Sequence, residues 1–337
     1  MTKPRSIPLP QGVRDILPGE AEKISAVEET IVGVFKNSKY KRIVTPLLEY
    51  VDSLSAGLGE ELKKKLLKFI EPSTGKVMAI RPDITPQIAR VVATKMAKAD
   101  FPLRLFYNEN VLRYRESGDG HSKEILQVGA EFISTEMPSD KANKVAAETE
   151  MVIMAIESLK TVGVSDFKID LGDVGFVRSL LGRIKCSDEE RFEIKKAVAI
   201  KDTPGLRKLT RELTDGAINS DDQELLIALP TLYGGTEVIE TANKFKAAEN
   251  KLNDLLQVVS AVTDKGYAEY IAIDLGEVRG FDYYTGIIFE GFAKGYGKAI
   301  LSGGRYDKLL EKYGLSARAC GFAFDIENIV AILEKNK

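Results

Sequence analysis

Along residues 20–38, Ile24, Val27, Ile31, Val34 and Phe35 recur at helical spacing with Glu and Lys between them. This pattern predicts an amphipathic helix docked on a sheet. Residues 42–50 read as a strand that Pro46 confines to an edge or a bend. Phe69 and Ile70 on one side, and residues 76–80 on the other, flank Glu71, Pro72, Ser73, Thr74 and Gly75, a hairpin signal because Pro and Gly supply the turn angles. A helix follows from Pro86 with Ile88, Val91, Val92 and Met96 in one stripe, and Asp83 or Thr85 can cap it. Two more strands are predicted around residues 110–115 and 123–133, separated by a polar, glycine-rich and therefore mobile loop. Residues 140–160 give another long helix.

The strings Ile169-Asp170-Leu171-Gly172-Asp173-Val174 and Ile273-Asp274-Leu275-Gly276-Glu277-Val278 nearly repeat each other, as two similar strands bracketing an inserted unit would. Chance likeness of short strands gives the same pattern. The expected organisation is a discontinuous core of residues 1–181 and 265–337 around a mostly helical insertion, residues 182–264, rich in Lys, Glu, Asp, Leu and Ala. Residues 278–292 and 298–301 return to strand signals, followed by Gly303-Gly304, which with Arg305 to Asp307 is similar to a phosphate-binding turn, and by a helix from Asp307. Antiparallel strands with flanking helices indicate an α+β fold rather than a doubly wound parallel sheet.

The 48 Lys and Arg against 50 Asp and Glu leave a net charge of −2, which argues against a protein whose main task is gripping nucleic-acid backbone. Lys63, Lys64, Lys65 and Lys68 suit either a phosphate patch or, better, a solvated helix end, since nothing aromatic interleaves them. Cys186 and Cys320 lie far apart with no CxxC, so neither a disulfide framework nor a cysteine zinc site is expected. His121 is the single histidine, which excludes a multi-histidine metal site within one chain. No cofactor is expected. No run approaches the roughly 18 apolar residues of a membrane span, and the opening residues lack a secretory pattern. A soluble cytoplasmic protein is the resulting expectation.

In residues 123–132, strand alternation puts Gln127 and Glu131 on one face with Gly129 between them, and Leu126, Val128, Ala130 and Phe132 on the other. A polar face with a glycine gap suits a small ligand, and equally a solvated strand face. Arg279 can bind a carboxylate or phosphate, while Tyr283 and Tyr284 offer hydroxyls and ring faces. The chain has no GxxxxGK[ST] and no GxGxxG in a strand-helix context, so a P-loop or Rossmann site is rejected.

Several of these strings together resemble histidyl-tRNA synthetase, a class II synthetase built on a six-stranded antiparallel sheet. They are Gln11 to Pro18, the run Arg81-Pro82-Asp83-Ile84-Thr85, Leu112-Arg113-Tyr114, Gln127 to Glu131, Arg279 to Thr285, and Ser302 to Asp307. The resemblance implies a histidine pocket in which Asp83, Thr85 and Gln127 hold the α-amino group and Arg279 faces the carboxylate. Glu131, Tyr284 and Tyr306 then surround the imidazole, with Tyr283 beside them. It implies equally that the ATP site is vestigial at Arg113, Arg115, His121 and Asn328. Asn328 replaces the arginine that clamps ATP, Arg115 a glutamate facing adenine, and His121 a loop arginine.

Only nine residues follow Asn328, where a synthetase of this kind carries an anticodon-binding domain. Together with the string from Arg81 to Arg90, these departures make the chain similar to the regulatory subunits of ATP phosphoribosyltransferase. That family is non-catalytic. Its members form homodimers within a hetero-octamer containing a short-form catalytic subunit, and convey L-histidine feedback at the first step of histidine biosynthesis; tRNA is not an expected partner. The alternatives are a truncated synthetase that still makes histidyl adenylate, and an RNA-binding paralogue.

Overall fold

The computed structural model describes residues 8–114, 123–135, 145–278, 280 and 283–335. Its centre is a nine-stranded sheet in the order β1 (Lys41–Arg42), β5 (Leu103–Leu112), β6 (Glu124–Ser134), β12 (Arg318–Asp325), β11 (Ala299–Arg305), β10 (Ile287–Ala293), β7 (Phe167–Asp173), β9 (Ile271–Asp274) and β8 (Tyr233–Gly234). From β5 to β7 every neighbour is antiparallel. Parallel β1 flanks one edge, while β9, parallel to β7, and antiparallel β8 flank the other. A three-stranded sheet, β2 (Leu48–Tyr50), β4 (Val77–Ile80) and β3 (Lys68–Ile70), stands apart. The α+β expectation holds, with the antiparallel strands in the middle.

The helix Pro18–Asn37 buries Ile24, Val27, Ile31 and Phe35, the positions the pattern selects. With the helices Ala146–Val162 and Ile326–Lys335 it covers one face of the sheet. The Phe35 ring meets those of Phe106, Phe322 and Phe324 there, with centroids 6.2, 5.8 and 6.5 Å away. The other face carries Leu105, Tyr107, Ile125, Ile133 and Tyr306, packed against Ile84, Ile88 and Val92 of the Thr85–Lys95 segment and its approach. Both faces of the central strands are covered. This is why residues 103–109 escape a simple alternation reading: β5 begins at Leu103, well before residue 110.

Other expectations need correction. Residues 42–50 form two strands in different sheets, not one, because the chain bends between them around Pro46. The Pro46 carbonyl accepts from Gln87 Nε2 at 2.8 Å, and buried Arg81 donates to the carbonyls of Thr45 at 2.8 Å and Asn110 at 2.7 Å. These bonds join the small sheet to the large one. In the stretch from residue 278, β10 begins only at Ile287, and Gly280 has φ +63°, outside strand geometry. Gly303 and Gly304 are not a turn but part of β11; a Cβ on Gly303 would lie 2.4 Å from the Phe322 Cβ. Of the two expected caps of the Thr85–Lys95 helix, the Thr85 hydroxyl bonds elsewhere, whereas Asp83 Oδ1 accepts the Ile84 N–H at 2.9 Å just before the first turn.

The hairpin of residues 69–80 is present, closed by the Glu71 N–H on the Lys76 carbonyl at 2.9 Å. The lysine run ends the short helix Glu60–Lys64, with Lys63 paired to Glu60 at 2.7 Å and Lys65 to Glu61, as a solvated helix end does. The two near-repeats are adjacent parallel strands, with Ile169 opposite Ile271 and Leu171 opposite Ile273. Between them lie the helices Asp188–Ala199, Thr203–Glu212, Ser220–Ala228, Glu237–Ala242 and Asn253–Asp264. Their apolar residues, Ile194, Leu206 and Leu225 among them, are continuous with the core under the sheet. The loop expected to be mobile falls largely outside the described residues. No helix among the described residues is long and apolar enough to cross a membrane.

Phe35 is fully buried and Phe192 is 60% exposed. Phe35→Ala should therefore lower unfolding free energy by about 3–5 kcal/mol, while Phe192→Ala stays within about 0.5 kcal/mol of wild type. Urea unfolding followed by far-UV circular dichroism measures both; equal effects would mean the aromatic cluster is not the centre of the core.

Candidate functional site

On the face of the sheet opposite the long helices, β6, β11 and β12 meet the segment before and at the start of the Thr85–Lys95 helix. A small cavity of about 70 Å³ opens there. Asp83, Thr85, Arg113, Gln127, Tyr283, Tyr284 and Tyr306 all line it. Strand alternation delivers Gln127 and Glu131 to this face, as expected, and the register of β12 sets Gly321 opposite Glu131. Gly321 is required: a Cβ there would come within 1.6 Å of Glu131 Oε2. The glycine gap at Gly129 is not open space for a ligand. The Tyr107 ring from β5 fills it, 2.4 Å from where a Gly129 Cβ would stand.

Glu131 is inaccessible to solvent. Thr85 Oγ1 donates to its Oε1 at 2.5 Å, and the Tyr306 hydroxyl donates to its Oε2. Burial pushes this carboxyl up to about 8, against the downward pull of the two hydroxyls, and the nearby Asp83 adds to the rise. Asp83 is raised by burial as well, opposed by the Arg113 guanidinium and by the backbone N–H groups of Ile84 and Thr85. Burial, then the charges of Asp83 and Glu131, hold Tyr283 and Tyr284 well above the usual phenol range, so both stay protonated donors. The Tyr283 and Tyr284 rings meet edge to face at 4.9 Å. Gln127 Oε1 and the Tyr283 hydroxyl are buried without a bond of hydrogen-bonding geometry among the described residues. Two carboxyl groups, an amide carbonyl in want of a donor and a ring of phenols make a site for a small ligand bearing cationic or N–H groups.

Arg279, Arg115 and His121 lie outside the described residues. Arg113 reaches the pocket edge, its Nε donating to the Pro82 carbonyl at 2.7 Å. Asn328 is not among the pocket-lining residues. Its Oδ1 accepts from the Tyr296 hydroxyl at 2.7 Å, a role a guanidinium could not fill because it has no acceptor, and its Nδ2 donates to the Ala299 carbonyl at 3.0 Å. Tyr107 and Gly321 belong to the pocket's surroundings and were not singled out by sequence, and Ser302, which opens one of the resembling strings, also lines the cavity. For Tyr107 the signal was available, since it stands two residues after Leu105 in an apolar stretch; its alignment with Gly129 was not, because register is a property of the paired strands.

Between the ordinary carboxyl value of 4.5 and about 8, the folded chain keeps a proton on Glu131 that the unfolded chain has released. The residue therefore makes stability fall as pH rises through that window and level off above it. Relative to Glu131→Gln, ligand-free wild type should lose up to about 1.4 kcal/mol per pH unit across pH 5–8. Chemical unfolding at each pH tests this, and a difference independent of pH would mean that Glu131 is ionised throughout.

A family model for histidyl-tRNA synthetase matches residues 12–329. A relative from Geobacter metallireducens named ATP phosphoribosyltransferase regulatory subunit is 42% identical over 340 residues, covering 99% of this chain and 76% of the relative. One of the same name from Acetivibrio thermocellus is 36% identical, covering 97% and 77%. Among solved structures, an ATP phosphoribosyltransferase regulatory subunit/histidyl-tRNA synthetase from Bacillus halodurans has a TM-score of 0.85 at 30% identity, over 98% of this chain and 84% of that one. Histidyl-tRNA synthetase from Nostoc shares the fold, with a TM-score of 0.74 at 21% identity, over 98% and 76%. The nearly complete coverage of the chain by both sequence and fold places it in the histidyl-tRNA synthetase family, among the ATP phosphoribosyltransferase regulatory subunits.

Proposed function

We propose that this chain binds L-histidine in the pocket around Glu131 and, as a regulatory subunit, conveys that occupancy to a catalytic ATP phosphoribosyltransferase partner. The observation that carries the reading is the fully buried Glu131, held by Thr85 and Tyr306, two residues that line the cavity together with Asp83 and the unmatched Gln127 carbonyl. An imidazole has one N–H and one acceptor nitrogen or two N–H groups, and a carboxyl flanked by phenols can answer either state. Asp83 and Gln127 supply acceptors for the α-amino group, and the Thr85 hydroxyl keeps a lone pair after donating to Glu131. Tyr283 and Tyr284 close over the ring, and Arg279 is assigned the carboxylate on its sequence position alone.

The partner is a short-form catalytic subunit in a cytoplasmic hetero-octamer containing homodimers of this chain, and the process is the first step of histidine biosynthesis. Feedback then requires that histidine bind the less active state of the assembly more tightly, since equal affinities shift nothing. The engagement of Asn328 by Tyr296 and the Ala299 carbonyl supports a regulatory rather than an ATP-using role.

Calorimetric titration of the protein with L-histidine should show binding without ATP. Glu131→Gln and Tyr284→Phe should each weaken it by roughly tenfold, the loss of a hydrogen bond to a charged or buried group being about 1.5 kcal/mol; unchanged affinity in both would refute the pocket. Histidine-dependent exchange of pyrophosphate into ATP should be absent, and exchange at a synthetase-like rate would establish the enzyme reading instead.

A further inference from the structure

We propose that the buried Arg305–Glu148 ion pair is the positioning device of this pocket and links its occupancy, through the sheet, to the helix Ala146–Val162. This rests on the pocket reading above. Arg305 ends β11, and its register partner Cys320 belongs to the core under the long helices, whereas the next residue, Tyr306, belongs to the pocket side. Adjacent residues thus grip opposite sides of the sheet. Tyr306 gives its hydroxyl to Glu131, and Arg305 Nη2 lies 2.5 Å from Glu148 Oε1, in the first turn of the helix.

The backbone of the same residue also holds the pocket tyrosines. The Arg305 carbonyl accepts the Thr285 N–H at 2.7 Å, and the Thr285 hydroxyl accepts the Asp307 N–H at 3.1 Å. Tyr284 is bound in turn by Arg178, whose Nη2 donates to its carbonyl at 2.8 Å. A shift of Arg305 along the strand therefore moves Tyr306 and the Tyr284–Thr285 segment together. A second grip reaches the same helical turn from Arg104, which sits opposite Phe132, the neighbour of Glu131. Its Nε and Nη2 donate to Glu150 at 2.9 Å each, and the Tyr40 hydroxyl donates to the same carboxylate at 2.7 Å.

Glu148 has no solvent exposure, and neither of its carboxylate oxygens has a bond of hydrogen-bonding geometry among the described residues, so the attraction to Arg305 is that of an ion pair. Breaking the pair would leave the buried Glu148 without its cation, while Arg305 would keep Asp307 Oδ2 at 3.6 Å, so the cost falls on the helix side of the contact. Such a contact stabilises the fold less than apolar packing does, and its usefulness lies in fixing geometry. When a ligand draws on Glu131 and Tyr306, β11 is the element that moves or stiffens, and Glu148 is where the helix meets it.

The test uses the full chain with Glu148→Gln, Glu148→Asp and Tyr306→Phe. In wild type, L-histidine should slow amide hydrogen exchange within residues 146–162. Glu148→Gln should raise the histidine Kd about tenfold, in the range of long-range coupling, and abolish that protection, while Glu148→Asp, which keeps the charge, restores part of both and stands in if the amide variant does not fold. Independently of any ligand, the thermal midpoints of Tyr306→Phe, Glu148→Gln and their combination should be non-additive. Unchanged Kd with intact protection in Glu148→Gln, or additive midpoints, overturns the proposal. If wild type binds no L-histidine, the histidine assignment falls by itself, and the midpoint cycle alone decides for or against the link.

Discussion

A carboxyl group in the middle of a covered β-sheet is the constraint on which the site depends. Removing Glu131 from water penalises its charged form, and the folded chain offsets this by converging two hydroxyls on it, from Thr85 and Tyr306. That convergence needs Gly321 opposite, since any side chain there would occupy the carboxylate's place. It also needs the turn through Asp83 and Ile84 that brings Thr85 over β6 at the head of its helix. Sheet register, a glycine, a helix start and a strand end are thus fixed by one group.

The surrounding polar contacts follow the same logic at larger scale. Arg81, 3% exposed, binds backbone carbonyls of two separate segments and Glu109 at 3.1 Å, so the bend around Pro46 is held by side chains rather than by a ladder. Gln87 and Arg90 bind Glu49, tying the small sheet to the helix that begins at the pocket. These buried groups are matched to one another, which makes the region stiff and geometrically specific. A site whose donors must meet a small ligand within a few tenths of an ångström gains from that stiffness.

Membership in a synthetase family and a regulatory role are compatible because the fold supplies the sheet and the pocket face, while chemistry depends on single residues along it. Asn328 illustrates this. At a position where the resemblance expects an ATP-clamping arginine, the amide is held by Tyr296 and a strand carbonyl within the body of the protein. The cavity is lined by Asp83, Gln127 and three tyrosines, with Glu131 behind them, and on the proposed reading these are the groups that recognise the ligand.

The sequence by itself determined the amphipathic helices, the hairpin around Gly75, the strand character of the two near-repeats and the sharing of one strand face by Gln127 and Glu131. Each follows from local spacing or turn chemistry. The dispersed motifs also made the family legible. Tertiary structure alone decided that residues 42–50 divide between two sheets, that Gly303 and Gly304 serve close packing inside a strand, and that Tyr107 fills the Gly129 gap. It alone decided that Thr85 bonds across to Glu131, and that Arg305 and Tyr306 grip opposite sides of one sheet. The physical reason is common to all: these outcomes depend on which strands pair and in what register, a choice made by contacts between residues far apart in the chain.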